Sequence, residues 1–347
     1  MANIILTEGS GTLNQLIGKV QVPLASYIDS TAEAHERASV GLSVFTKRKS
    51  SNFAEGYGGA TGLDDFAAVG EGGAYPLTGF VDKKLKTLHN QTWKQSVKIT
   101  REMLEDSHGN FERIVKQGGM LTRSYYRTLD RFLANLLGTA LTGGTSFNSG
   151  AAAFDTTSYD GKCVFSTEHV NQVTGEVQSN AFADGFSLDV LGALTTKMQN
   201  ITDDKGNVLG LNPDTIIIPN DPRIKQAVFA AVGSDKLPGT SYNDLNYMAG
   251  NFHVMVWPEL NRFVGVSNIP FILLDSSFNA DADCAIFQER EALEVSDKWD
   301  DNDSYILKGR ARFTGGFADW RGMCAGGLTF GSNVSVAAAA TATSMEL

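Results

Sequence analysis

The hydrophobic positions change period several times along the chain. Residues 1–30 mix short apolar groups with glycine and polar residues and sustain no period, the pattern of an arm whose order depends on what it lies against. From Ser39 onward Val40, Leu42 and Val44 alternate with Ser39, Gly41 and Ser43, which predicts a half-buried strand. Residues 56–80 are rich in glycine. Beyond them Leu85, Trp93, Val97 and Ile99 share one parity, and Lys84, Lys86, Lys94 and Lys98 share the other. This predicts one long amphipathic strand with a basic face, on the order of 55 Å if it stays extended from 84 to 100.

A helical period follows. TREMLEDS, from Thr100, predicts a short helix, and Asn110 an N-cap for a long one. Phe111, Ile114, Val115, Leu121, Tyr125, Leu129, Phe132, Leu133, Leu136 and Leu137 keep i, i+3, i+4 spacing to about Leu141, and Gly143–Gly144 stops the run. Gly118 and Gly119 sit inside this helix, each weakening it by about 1 kcal/mol relative to alanine. They predict a bend point.

The remainder is mixed α/β. Ser187 caps a helix carrying Leu188, Leu191, Leu194 and Met198, TDDKGN at 202–207 forms a turn, and TIIIP at 215–219 is a buried strand. Asp221–Pro222 supplies the N-cap and first residue of a helix stopped by Gly233. FHVMVW and PFILLD add strands. From Cys284 the pattern returns to β: AIFQEREALEV, an acidic turn SDKWDDNDS, YILKGRARF, and a strand containing Trp320. The ending NVSVAAAATATSMEL is small-residue low complexity, predicting a mobile tail.

Bulk properties narrow the function. With 42% hydrophobic residues over 347 positions, two or three cores can form. A formal net charge of −10 argues against a protein that grips nucleic-acid phosphates, though not against one that encloses nucleic acid. No signal peptide or membrane-length apolar run is visible, so neither export nor a membrane is expected. Cys163, Cys284 and Cys324 are few and far apart, as befits reduced cytoplasmic thiols.

Catalytic patterns are missing. GYGGATG places Thr61 where a dinucleotide fingerprint needs its third glycine, and there is no HExxH, zinc spacing or GxSxG elbow. Asp297, Asp300, Asp301 and Asp303 imitate a calcium loop, but the sixth-position glycine is lacking and the twelfth residue is Lys308. A solvated hairpin turn is expected there, with no cofactor and no metal.

The order of elements, and the texts EGGAYPLTGF, WKQSVKITREMLED, DGKCVFSTEHV, LNPDTIIIP, NDLNYMAG and FTGGFADWRG, resemble major capsid proteins of tailed bacteriophages. The resemblance runs from about Thr31 to Phe330. It implies an α+β fold of the HK97-like kind: an N-terminal arm (1–39), an extended β-hairpin loop (40–100), a spine helix with the first part of the peripheral domain (101–165), an axial domain (166–283), return strands of the peripheral domain (284–330) and a C-terminal tail (331–347). It further implies self-assembly into hexamers and pentamers of an icosahedral head around double-stranded DNA held without sequence-specific contacts. Implied partners are a separate scaffolding protein, a portal and a decoration protein. The implied location is the virion, after assembly in the host cytoplasm.

In that family the extended loop lies across a neighbouring subunit. Tyr57, Phe66, Tyr75, Leu77, Lys84, Lys86 and Lys94 are expected to contact a neighbour, and from their charge the lysines are expected to meet the peripheral turn Asp297, Asp300, Asp301 and Asp303. Gly118 and Gly119 would be the hinge of the spine helix. Residues 50–82 contain no lysine, so the covalent lysine cross-link that some members form from the loop tip is not expected. The rival readings are an encapsulin-like compartment on the same fold, and a soluble hydrolase with dispersed catalytic residues.

Overall fold

The computed structural model describes residues 30–58, 62–63, 65–79, 85–100, 102, 111–140, 154–236, 245–265, 269–302 and 304–328, without the side chains of 111–118, 297 and 299. The arm before residue 30, the short helix after Thr100 apart from Glu102, the Asn110 cap, the Gly143–Gly144 stop, Lys84, Asp303 and the C-terminal tail lie outside the described residues. The chain divides into two compact units, one of Met1–Leu42, Asn90–Asp130 and Glu289–Thr314, the other of Ser43–His89, Arg131–Gln288 and Gly315–Leu347.

Helix α1 covers residues 30–38 and α2 covers Val40–Val44. The expected strand at 39–44 is therefore a helix. Buried positions Gly41, Val44 and Phe45 have helical spacing, and five residues are too few for period 2 to exclude it. Ser39 tips the choice: its hydroxyl accepts from Leu42 N (3.3 Å) as a helix cap does, and it donates to Asp130, which also accepts from Gly41 N at 3.1 Å.

The strands after it are β1 (Thr46–Lys49), β2 (Ala54–Tyr57), β3 (Lys86–His89) and β4 (Gln91–Ile99). The predicted long strand is thus broken at Asn90. β3 pairs with β2, whereas β4 pairs with another strand altogether. Helix α3, the predicted long one, runs unbroken over Phe111–Ala140, through Gly118–Gly119.

The first unit packs β4 and one face of α3 around aromatic residues. Trp93 stacks on Phe313 (4.9 Å, 6° between planes) and donates Nε1–H to its carbonyl at 3.1 Å, while Tyr125 meets the same ring edge-on at 5.8 Å. Such pairs add about 0.5–1.5 kcal/mol each beyond area burial. β10 (Ala285–Trp299) and β11 (Tyr305–Phe317) form a long hairpin in the sheet order β1-β10-β11-β4. The expected acidic turn begins later than predicted, because β10 continues to Trp299. Asp297 is in the strand, and the turn closes where Asp300 N donates to Ser304 O at 2.9 Å.

The second unit is built on the sheet β12-β9-β7-β8, with β7 at Thr215–Pro219, β8 at His253–Trp257, β9 at Phe271–Leu274 and β12 at Met323–Gly326. β7 runs parallel to β8, antiparallel to β9, and is buried along its whole length. Ile216, Ile217 and Ile218 are wholly buried, each contributing about 1.5–3 kcal/mol by leaving water. Helix α4 (Leu188–Gln199) is capped by Ser187, which accepts from Val190 N. α5 (Pro222–Gly233) is capped by Asp221 with proline in its first turn. These caps, and the strands at 215–219, 253–257 and 271–274, follow the sequence reading. Trp320 does not lie in a strand; it is buried in the turn between β11 and β12. A small hairpin, β5 (His169–Val170) with β6 (Val177–Gln178), and a short α6 (Ser276–Asp281) complete this unit. Cys284 and Cys324 are buried free thiols and Cys163 is a half-buried one.

Candidate functional site

The site lies in the second unit, where the β2–β3 ribbon carries the glycine-rich loop. Tyr57 pairs with Lys86, and Ala54 with His89. Leu88 turns inward onto Ile286 and Ala318, with Tyr57 packed against them. A side chain at Gly316 would come within 2.4 Å of Leu88, so the ribbon can sit this close only over glycine. The Tyr57 hydroxyl donates to Gln288 Oε1 at 2.9 Å. Burial, then the charges of Asp283 and Glu55, push its ionisation up to about 12. At the ribbon's entry Glu55 Oε1 accepts from the Ser50 hydroxyl and the amides of Ser51 and Asn52. The Asn52 amide leads in holding that carboxyl below its usual range.

Lys86 is buried, and its ammonium donates to Asp155 and to Thr157 Oγ1 (2.7 Å). Burial would raise the Asp155 carboxyl, but the hydrogen bonds of Lys86 and Thr157 outweigh it and lower it. Lys86 is thus engaged inside its own chain. Tyr57 is likewise turned into the ribbon's packing.

Above the ribbon the loop is attached at both ends to one turn of the same unit. Lys205 Nζ donates to Gly79 O (2.8 Å) and Asn207 Nδ2 to Leu63 O (3.5 Å). The turn is built by Asp203 Oδ1, which accepts from the amides of Lys205 (2.9 Å) and Asn207 (2.8 Å). A Cβ on Gly62 would fall 2.2 Å from Asp203 Oδ2, so this approach also requires glycine. Between the attachments Phe66, Tyr75 and Leu77 are almost fully exposed, and Asp65 and Glu71 are exposed beside them. One tight turn, Gly73 N donating to Gly70 O at 2.9 Å, folds the tip.

The turn at 203–207 is itself held by a buried polar node. Arg321 Nη2 donates to Asp204 Oδ1 (2.9 Å), Nη1 to the Tyr159 hydroxyl (2.6 Å) and to Asp319 Oδ2 (3.3 Å), and Nε to Thr202 O (3.1 Å). Burial disfavours the Arg321 charge, but Asp319, Tyr159 and Asp204 outweigh it and strengthen the protonated form. Trp320 stacks face to face on His169 at 4.1 Å, and His169 Nδ1 lies 2.6 Å from Asp160 Oδ2. A cavity of about 320 Å³ lies between node and loop base, bordered by Tyr57, Gly62, Asp203, Asp204, Asp319 and Arg321. Among the described residues no group of His, Cys, Asp or Glu is arranged to hold a metal ion. None of the described helices is long and apolar enough to cross a membrane.

The other expected site residues are scattered. Lys94 lies on β4, directly across from Arg310, and not on the ribbon. Asp300 is paired with Lys98 of its own chain at 3.0 Å, and Asp301 is exposed beside it in the turn. Gly119 is buried within α3. The node around Arg321 went unread in the sequence. Its signal was ADWRG, a charged pair flanking tryptophan in an otherwise apolar segment, where charges stay buried only as partners.

A loop ribbon, a long helix, a β12-β9-β7-β8 sheet and a returning β10–β11 hairpin are the elements of an HK97-like fold. The comparisons agree. Residues 88–326 match the phage capsid protein family, and the chain belongs to it. It is therefore a phage major capsid protein, a structural component of the virion. The capsid of Ralstonia phage GP4 has the same fold at a TM-score of 0.53, with 9% identity over 84% of this chain and 88% of that one. The capsid of Myoviridae phage XM1 aligns at 0.49, with 11% identity over 81% and 88%. The virus-like particle from Pyrococcus furiosus aligns at 0.43, with 10% identity over 86% and 96%. No curated protein matches the sequence.

Proposed function

We propose that the chain builds an icosahedral head from hexamers and pentamers, and that the loop between the attachments at Leu63 and Gly79 is laid across a neighbouring copy. The reading rests on one observation: Phe66, Tyr75 and Leu77 are exposed together on a segment tethered at its base. Each aromatic residue can bury about 150–250 Å² on a partner, and apolar groups left in water on this scale mark an interface. The protein's work is repeated non-catalytic contact around double-stranded DNA, with scaffolding, portal and decoration proteins as partners during assembly in the host cytoplasm. The domain limits implied by the family, with residues 40–100 as the loop arm and 166–283 as the axial domain, belong to the same proposal.

Deletion of residues 65–77 tests it, since the tether and ribbon remain. The variant should elute as a folded chain with an unchanged melting point and give few or no particles by electron microscopy. Wild-type particle yield would refute the loop's role. DNA recovered from wild-type particles after nuclease treatment is expected, whereas a discrete protein cargo in place of DNA would refute the genome-enclosing reading.

A further inference from the structure

The loop carries acidic residues Asp64, Asp65 and Glu71 and no basic residue from Ser50 through Asp82. A partner surface for it should be cationic, in a chain whose net charge is −10. One such surface stands out in the first unit. Along β11 the even-numbered residues from Ile306 to Arg312 are the more exposed ones, and the register sets Lys94 of β4 directly across from Arg310, with Lys308 and Arg312 on the same face. Like charges directly opposite one another on a sheet are destabilising. Arg310 is partly compensated by Glu291 (3.2 Å) and Glu294 (3.9 Å), and Arg312 by Glu291 (3.5 Å). Lys94 and Lys308 are exposed and have no carboxylate partner among the described residues. Among the described strands β4 also ends the sheet.

We propose that the outward face of β4 and β11 in one copy receives the acidic, aromatic loop 65–77 of a second copy. This rests on the loop being an intersubunit element, and names the surface that takes it. Asp65 and Glu71 would face Lys94 and Lys308, and the Phe66 and Tyr75 rings would lie over the lysine and arginine heads. Aromatic faces attract such cations within about 6 Å, and the aliphatic stems of these side chains offer apolar cover to the rings. Loop and face therefore match in charge and in aromatic content. The polarity is the reverse of the expected contact between hairpin lysines and the Asp297–Asp303 turn, because Lys86 and Asp300 are already paired at home.

Four full-length variants test this: Lys94→Glu with Lys308→Glu, Asp65→Lys with Glu71→Lys, all four changes together, and deletion of 65–77. Particle yield is read by light scattering and electron microscopy at low and high salt, and folding by thermal melting of the unassembled chain. Each reversal should cut yield several-fold at low salt, and the fourfold variant should restore most of it, since screening weakens only exposed pairs. If the deletion abolishes particles but the Lys94/Lys308 reversal assembles normally, the loop's role stands and this face is wrong. If the face reversal lowers DNA retention and the loop reversal does not rescue it, the face serves nucleic-acid phosphates and the proposal is overturned. Normal assembly of the deletion variant removes the loop reading itself.

Discussion

Arg321 and Asp204 meet at 2.9 Å with both side chains sealed from solvent. Asp319 and Tyr159 close the other side of the same guanidinium. Removing the cation while leaving both carboxylates buried costs far more than an exposed ion pair, about 3–5 kcal/mol. Arg321→Met should lower stability by that order in urea titration, whereas Tyr159→Phe should cost about 1–3 kcal/mol. Because Arg321 also holds Thr202 O at the start of the 203–207 turn, amides of that turn should exchange faster in the Arg321 variant. Unchanged exchange there would separate the node from the loop base.

The Asp160–His169 pair predicts an acid-side loss of stability. Burial alone would raise the Asp160 carboxyl, but the hydrogen bond and charge of His169, aided by Ser158 and Lys162, bring it below its usual range. A carboxyl lowered on folding contributes stability above its unfolded value, about 3.9, and that contribution disappears as pH falls through the lowered folded value. Melting points taken below pH about 4 should therefore fall more steeply in the wild type than in Asp160→Asn, which has no carboxylate there to protonate. Parallel curves would mean that Asp160 gives no pH dependence.

Gly316 should not tolerate a methyl group. The 2.4 Å approach to Leu88 falls on a side chain that is itself packed against Ile286 and Ala318, so Leu88 has little room to yield. Overpacking of this kind costs about 1–3 kcal/mol. Gly316→Ala should lose that much in denaturant titration, and Gly316→Ala with Leu88→Val should recover part of it. A neutral single variant would show that the ribbon shifts freely on β11.

Legibility in the sequence followed the range of the interaction. The Ser187 and Asp221 caps, the buried TIIIP strand and the 30-residue helix were readable because they are set by neighbours in sequence. The segment at 39–44 misled because its helix depends on Asp130, about ninety residues away. The break at Asn90 was hidden for a similar reason. The alternation of Leu85 through Ile99 continues across it, but β3 and β4 take partners from opposite ends of the chain. Charge runs were silent on local pairing: Lys86 and Asp300 each find a partner in their own chain that spacing could not reveal.

The last prediction concerns Gly118 and Gly119. Helix α3 is continuous through both, and we propose that it bends there as an immature shell converts to an expanded one. Two adjacent glycines lower the helix's intrinsic stability by roughly 2 kcal/mol relative to alanines, and glycine pairs are among the recognised causes of helix kinks. If the helix must flex as the head expands, Gly118→Ala with Gly119→Ala should stiffen it. Particles should then form but convert slowly, and the smaller, unexpanded form should accumulate in time-resolved light scattering. Because Gly119 is buried, a methyl group there could instead disturb packing, and thermal melting of the unassembled double variant separates the two effects. An unchanged melting point with slowed expansion supports the hinge. Expansion at the wild-type rate assigns the glycines to packing alone.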